Sequence, residues 1–362
     1  MNSFIKTASI LLVSSKTTHR SGLRKILCDL GADNHAIEVA SDFEQSKERL
    51  SKSPVNIVIA DDDISETKTG PDLIPLHEKN LPSSRKRLFI LMTGELTPFL
   101  EASFAMKGGD LIVKKPFTNA AFTAAIETAL NQKASMSPEE EISLDLSDAL
   151  RTENISEANN ILGRFKNFNS AAALFSKGQI LESEKSYDQA FDAYILGLSK
   201  AFDFRTLVGA VNAGSSSRRF GEMGEIVEKW IRKFPLYDKS VPDMTRVVIY
   251  NQRFDLLRDM LNLMANIKSG DQLARRALSA GLVVAALNSL QKEGDKDNAI
   301  EYAAKGITLA ESWPPIVIRG FEVLLQAGGK EKAVKIFEDL SKQTAFNQNQ
   351  DLKKQIQLLI QG

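Results

Sequence analysis

The sequence predicts an α/β domain followed by an all-α region: a doubly wound five-stranded parallel sheet, then an α-solenoid of stacked helical units. Three observations lead there. Five short apolar runs alternate with helix-period stretches through the first third of the 362-residue chain. The runs are nearly continuous, as expected of parallel strands buried on both faces. Beyond about residue 133 such runs give way to small-or-apolar residues followed four later by a second apolar residue, recurring at intervals of 32, 36, 31, 42 and 34 residues. A period scattered about 34 marks helix–turn–helix units, each leaving an apolar face that a neighbour covers.

Strands are expected over residues 9–13, 36–40, 55–60, 88–92 and 111–113. Between the first two, Leu23, Ile26, Leu27 and Leu30 put an apolar stripe on one helix face. Residues 133–141 break the pattern, and Ser137-Pro138 followed by three glutamates also reads as a helix start. The expected division is therefore an α/β domain over 1–133, a linker over 134–142, helical repeats over 143–345 and a capping helix over 346–362. The recurring pairs are Ala158/Leu162, Ala190/Tyr194, Ile226/Trp230, Leu257/Leu261, Ala299/Ala303 and Ala333/Phe337. Six pairs imply about twelve helices before the cap. Turns are expected at Lys185-Ser186, Phe220-Gly221, Gly294-Asp295 and Gly328-Gly329, and the interval of 42 requires an insertion or a longer helix. Ala190 is expected at a close helix crossing with Gly178.

Composition excludes several function classes. Lys plus Arg and Asp plus Glu each total 46, so no basic excess announces capture of nucleic acid. Cys28 is the single cysteine, which excludes an intramolecular disulfide and a Cys-based zinc site. The three histidines, His19, His35 and His77, form no metal-protease motif. The apolar stretch Ile10–Val13 is too short for a secretory signal, and no uninterrupted apolar run approaches membrane-spanning length. The expectation is a cytoplasmic chain without membrane insertion. Gly328-Gly329-Lys330 lacks Walker spacing, Asp61-Asp62-Asp63 lacks the calcium-loop register, and His19 reads as a helix-surface residue.

The unit Leu174-x2-Lys177-Gly178-x2-Leu181, followed by Ala190-x3-Tyr194, resembles the tetratricopeptide repeat family. It carries Lys where that family usually has Leu, and Leu where Tyr is usual. Pro235 and Pro314 fall roughly where the family ends its units. The resemblance covers about 200 residues and implies a protein partner in the solenoid groove.

Three residues stand at the carboxyl ends of expected strands, where ligands bind in open α/β sheets: Asp61, Thr93 and Lys115, spaced by 32 and 22 residues. In that order, with Lys115 preceding Pro116-Phe117, they make the domain resemble a response-regulator receiver over nearly its full length. The resemblance implies Asp61 as phosphoacceptor from a histidine kinase, Thr93 and Lys115 as phosphoryl-binding groups, and Mg²⁺ held by the acceptor and an acidic pair after the first strand.

That acidic pair is replaced by Ser14 and Ser15. Mg²⁺ usually requires one or two carboxylates, so Asp61 alone is a weak metal ligand and weak or no Mg²⁺ binding is expected. Asp61 and Lys115 can pair directly and leave no net charge for a dication. Ile112 stands where the family usually has an aromatic, Ile64-Ser65 replaces Met-Pro, and the loop from Asp61 to Gly70 is one residue longer. The reading that follows is a bacterial signalling scaffold, not an enzyme, with a degenerate pseudo-receiver and no required cofactor. The alternative is a phosphorylation-responsive regulator in which Asp61 controls the solenoid. Self-association stays open.

Overall fold

The computed structural model describes residues 3–65, 68–233, 236–264, 272–310 and 313–362. The chain divides into two compact units, 1–210 and 211–362.

The first unit opens with α1 (Ser3–Thr7), β1 (Ile10–Val13), α2 (Thr17–Asp29), β2 (Ile37–Ala40), α3 (Phe43–Lys52) and β3 (Ile57–Asp61). It continues through α4 (Ile74–Asn80), β4 (Leu88–Thr93), α5 (Pro98–Met106), β5 (Leu111–Lys114) and α6 (Asn119–Ala134). All strand pairs are parallel, in the order β2-β1-β3-β4-β5, a doubly wound order. Alternate residues explain the continuous apolar runs. Ile10, Leu12, Ile57, Ile59, Ile90 and Met92 face one core, whereas Leu11, Val13, Val58, Ala60, Phe89 and Leu91 face the other. β2 departs from expectation: it is an edge strand in which Glu38 and Val39 are exposed. Its one covered edge and the Arg49–Glu38 ion pair, 3.2 Å, account for the mixed composition.

Four further helices follow in this unit: α7 (Pro138–Arg151), α8 (Ile155–Leu162), α9 (Ala171–Ser183) and α10 (Tyr187–Lys200). Most of the stretch expected as a linker is thus the start of α7, fixed by a capping box between Ser137 and Glu140. The apolar face of α7 joins Ile142, Leu146 and Ala149 to residues of α8 and α9 in a separate core. Its polar face meets the amino end of β4. There, the Ser84 amide and hydroxyl donate to Asp148 at 2.9 and 2.6 Å, and Arg85 pairs with Asp145 and Glu141.

The unit division falls within α11 (Phe204–Ser216). The second unit contains α12 (Gly224–Lys233), α13 (Val241–Tyr250), α14 (Asp255–Met264), α15 (Gln272–Asn288) and α16 (Lys296–Ala310). It ends with α17 (Pro314–Gln326), α18 (Lys330–Leu340), α19 (Thr344–Gln348) and α20 (Gln350–Gln361). No strand follows β5 among the described residues.

From α7 to α18 the helices form six consecutive pairs, and every pair turns through one left-handed residue: Glu153, Lys185, Arg218, Gln252, Gly294 and Gly328. In the third turn that residue is Arg218, and the expected Phe220-Gly221 lies in the same turn, just before α12. The amino caps repeat too. Ser137, Ser170 and Asp203, each 33 residues apart, accept from the amide three residues on, in α7, α9 and α11 respectively. The interval of 42 coincides with the long α15, which a π-helical turn extends to Glu293. Pro235 lies outside the described residues.

Small residues sit where expected, but one partner differs. Ala190 is fully buried, yet it is Tyr194 that covers Gly178, where an added Cβ would lie 2.4 Å from the ring. The Tyr194 hydroxyl donates to Glu182 at 2.8 Å. Burial raises the carboxyl of Glu182 above its ordinary range, and burial with that neighbour also raises Tyr194.

One stretch, Gln272–Lys292, is long and apolar enough to cross a membrane by length and composition, with half of it buried. The expectation from uninterrupted apolar runs missed it, because polar residues interrupt the stretch without lowering its mean hydropathy below that of a span. Within its unit α15 packs on α13, α14, α16 and α17, and Ala274, Leu278, Leu282 and Ala286 are fully buried.

His77 is fully buried, its Nε2 lies 2.8 Å from the Val55 carbonyl, and its Nδ1 has no hydrogen-bond partner. Burial depresses its pKa from 6.5 to about 4. Below about pH 6.5 the unfolded chain therefore takes up a proton that the folded chain refuses, and stability is lost as pH falls towards 4. The His77 share is about 2–3 kcal/mol by pH 4.5. Urea denaturation at neutral pH and at about pH 4.5 should show a smaller acid loss in His77→Gln than in the wild-type chain. At the second helical turn, Lys185 has φ 61°, a conformation in which a Cβ is strained. Lys185→Gly should raise stability by about 0.5–1 kcal/mol, less than the full strain because glycine also loosens the unfolded chain.

Candidate functional site

Parallel pairing brings the carboxyl ends of β1, β3, β4 and β5 to one edge. Val13 is level with Ala60, Asp61 with Met92, and Thr93 with Lys114. Asp61 ends β3 with only 3% of its surface exposed. A carboxylate so placed requires a counter-charge. Lys115 supplies it, with Nζ 2.7 Å from Asp61 Oδ1. The Lys115 amide also bonds to the Thr93 carbonyl at 2.7 Å, and a cis peptide joins Lys115 to Pro116.

The other Asp61 oxygen, Oδ2, lies 3.5 Å from His19 Nδ1. His19 is on the surface of α2 as expected, half-exposed in its first turn, and the structure adds this contact with Asp61. Its place two residues into the helix that follows β1 was the signal available in the sequence.

Thr93 is buried, but its hydroxyl is engaged within its own loop. It donates to the Glu95 carbonyl at 3.0 Å, accepts from the Glu95 amide at 3.1 Å, and lies 3.4 Å from Asp62 Oδ2. Burial raises the Asp62 carboxyl above its ordinary range, against the opposing pull of Thr93 and Lys115. Asp63 is exposed. The loop returns at Gly70, whose added Cβ would stand 2.4 Å from the Asp61 carbonyl oxygen; only glycine permits that approach. Glu66 and Thr67 of this longer loop lie outside the described residues.

At the end of β1, Ser14 is fully buried and Ser15 is exposed. The Ser14 hydroxyl accepts from the Lys16 amide at 3.2 Å, while its carbonyl accepts from the Arg20 guanidinium. Arg20 also donates to the Thr17 hydroxyl at 3.1 Å. A guanidinium thus stands beside the strand end where the receiver resemblance calls for carboxylates. The donor set fits Mg²⁺ poorly: Asp61 is engaged by Lys115, the serines are neutral, and Arg20 adds positive charge. Among the described residues, no cluster of three or more His, Cys, Asp or Glu side chains is arranged to hold a metal.

The weaker sequence signals have structural places. Ile112 packs at the edge of one sheet core, Gly328-Gly329-Lys330 is the turn into α18, and Cys28 is half-buried on α2.

No family model and no curated protein matches the chain. Solved structures similar to it include receiver domains that match its N-terminal third. A chemotaxis response regulator of Vibrio cholerae is 19% identical over 34% of this chain and 98% of its own, with a TM-score of 0.31. A signal receiver domain of an HD domain-containing protein from Pseudomonas fluorescens is 26% identical over 36% and 91%, with a TM-score of 0.30. A response regulator receiver domain protein from Clostridium thermocellum is 24% identical over 35% and 97%, also with a TM-score of 0.30.

The ion pair makes a direct prediction. Lys115→Met leaves the buried Asp61 charge without its closest partner and should cost about 2–4 kcal/mol in chemical denaturation. Adding Asp61→Leu removes that stranded charge and should restore most of the loss. A double variant no more stable than Lys115→Met would show that Asp61 is not the group stranded.

Proposed function

We propose that the chain is a bacterial signalling scaffold, in which a receiver-like domain works without the standard phosphorylation chemistry and tetratricopeptide-like repeats bind a protein partner. The end of β1, rather than the Asp61–Lys115 contact common to both readings, carries this one. The acceptor position is already neutralised by a protein cation, and the end of β1 offers Ser14, Ser15 and Arg20 in place of acids. A phosphoryl group arriving at Asp61 would add negative charge without the dication that normally offsets it. The loss in rate would be on the order of a few powers of ten.

The repeat assignment is supported by the six left-handed turns and by the amino caps 33 residues apart. Such regularity suits an extended binding surface. No enzymatic role, no Mg²⁺ requirement and a cytoplasmic location belong to the same proposal, and homo-oligomers are compatible with it.

A second reading has its own observation. Asp61 is at a strand's carboxyl end, with Lys115 bonded to it and Thr93 on the neighbouring strand. These are the three groups that a phosphorylation-responsive regulator, served by a histidine kinase, would use.

Phosphate incorporation separates the two. With millimolar Mg²⁺ and a small phosphodonor, intact mass should show little or no adduct on the wild-type chain, and Asp61→Asn should leave partner binding nearly unchanged. Ser14→Asp combined with Ser15→Asp should strengthen Mg²⁺ binding. Substantial incorporation that disappears in Asp61→Asn would sink the scaffold reading in favour of the switch.

A further inference from the structure

Within the first unit, α7, α9 and α11 bring their amino ends to one open cleft of about 360 Å³. Its apolar lining includes Leu144, Ala171, Ala172 and Phe175. That volume is at the lower end of sites that enclose small ligands, and it accommodates one or two large apolar side chains of a peptide. The two alanines keep the floor low enough for a partner backbone to approach.

The polar groups at the cleft decide what that partner carries. Two carboxylates, Glu140 and Asp203, and one guanidinium, Arg205, line it. Hydrogen bonds hold both acids in place: Glu140 accepts from the Ser137 amide at 2.8 Å, and Asp203 accepts from the Thr206 amide and hydroxyl, each at 2.9 Å. Arg205 is already engaged. Its guanidinium stands 5.3 Å from the Phe175 ring centroid and its Nε 3.6 Å from Asp203. Arg205 thus pairs with Asp203 and adds to the Ser137 hydrogen bonds that hold the Glu140 carboxyl low, so the three groups leave one net negative charge, with Glu140 on the α7 side, to meet a ligand.

We propose that this cleft docks a peptide segment of the partner protein in which a large apolar residue, Leu, Met or Phe, stands beside a Lys or Arg. The apolar side chain covers Phe175 and the two alanines, while the basic group meets Glu140 at the rim. An acidic segment would face Glu140 and would have to displace Asp203 from Arg205. The inference rests on the partner-binding reading above and adds the place and chemistry of the contact.

The test pans the full chain against a display library of short random peptides and measures synthetic copies of the enriched sequences by fluorescence polarisation. Two variants accompany the wild-type chain: Glu140→Lys, which reverses the rim charge, and Ala171→Phe, which fills the floor. Thermal midpoints and circular dichroism verify that each is folded. Enrichment of apolar residues next to Lys or Arg is expected, with binding weakened about tenfold or more in each folded variant. Should Ala171→Phe not fold, the Glu140→Lys comparison decides alone. Enrichment of acidic peptides, absence of enrichment, or binding unchanged in the variants would overturn the proposal. Peptides that bind equally to all forms would remove this cleft while leaving partner binding intact. None of these outcomes alters the phosphate-incorporation result on which the receiver reading stands.

Discussion

A parallel sheet covered on both faces has little room for charge within its layers, so polar side chains gather where the strands end. Here, Leu11, Leu12, Val58, Ile59, Ile90 and Leu91 are all fully buried, and the two cores exclude water from both sides of the central strands. Two residues beyond Ile59 on β3 lies Asp61, close enough to that interior to be almost inaccessible and close enough to the edge for other loops to reach it. Lys115 reaches it from the loop after β5. The ion pair is therefore less a feature added to the fold than the electrostatic condition for keeping Asp61 there.

The same sheet has a second polar end. Ser84 and Arg85 precede β4, and they hold Asp148, Asp145 and Glu141 of α7. Arg87, with 5% of its surface exposed, pairs with Glu78 at 2.8 Å. That pair leaves Arg87 with a partner despite the burial that lowers its pKa. The candidate site and the contact with α7 thus occupy opposite ends of β4, Thr93 at one and Ser84 just before the other. The strand between them is buried at every position.

Much of the fold was legible because burial dictates residue type over whole elements. Two-sided burial makes continuous apolar runs, and helix pairs packed on neighbours make small-and-large intervals. Edge strand β2 blurred the first signal with Glu38, and the long α15 stretched the second. Asp61 and Lys115 were legible as a pair because opposite charges at strand ends have few other places to go. Thr93 was legible in position but not in orientation, since nothing in the residue type says that its hydroxyl turns to Glu95. His19 and Arg20 escaped because their roles depend on how the first turn of α2 rises over the strand ends, a matter of side-chain direction. The Tyr194 contact with Gly178 escaped for the same reason: spacing placed both residues at a crossing, but direction chose Tyr194 over Ala190.

Four of the six left-handed turn residues are not glycine, although glycine would adopt that conformation without a steric cost. A strained residue persists when the structure on either side over-determines it, and here the helices on both sides have buried faces. Lys185 follows α9 and precedes α10, and these two helices close on each other through Gly178 and Tyr194. The crossing fixes the turn, the turn fixes the repeat interval, and the interval brings the caps of α7, α9 and α11 into line. A cleft built across three such helices takes its shape from packing in the interior, while its charge comes from Glu140, Asp203 and Arg205 at the surface. The interior can therefore stay constant while surface substitutions alter which partner the cleft accepts, the division of labour expected of a binding scaffold.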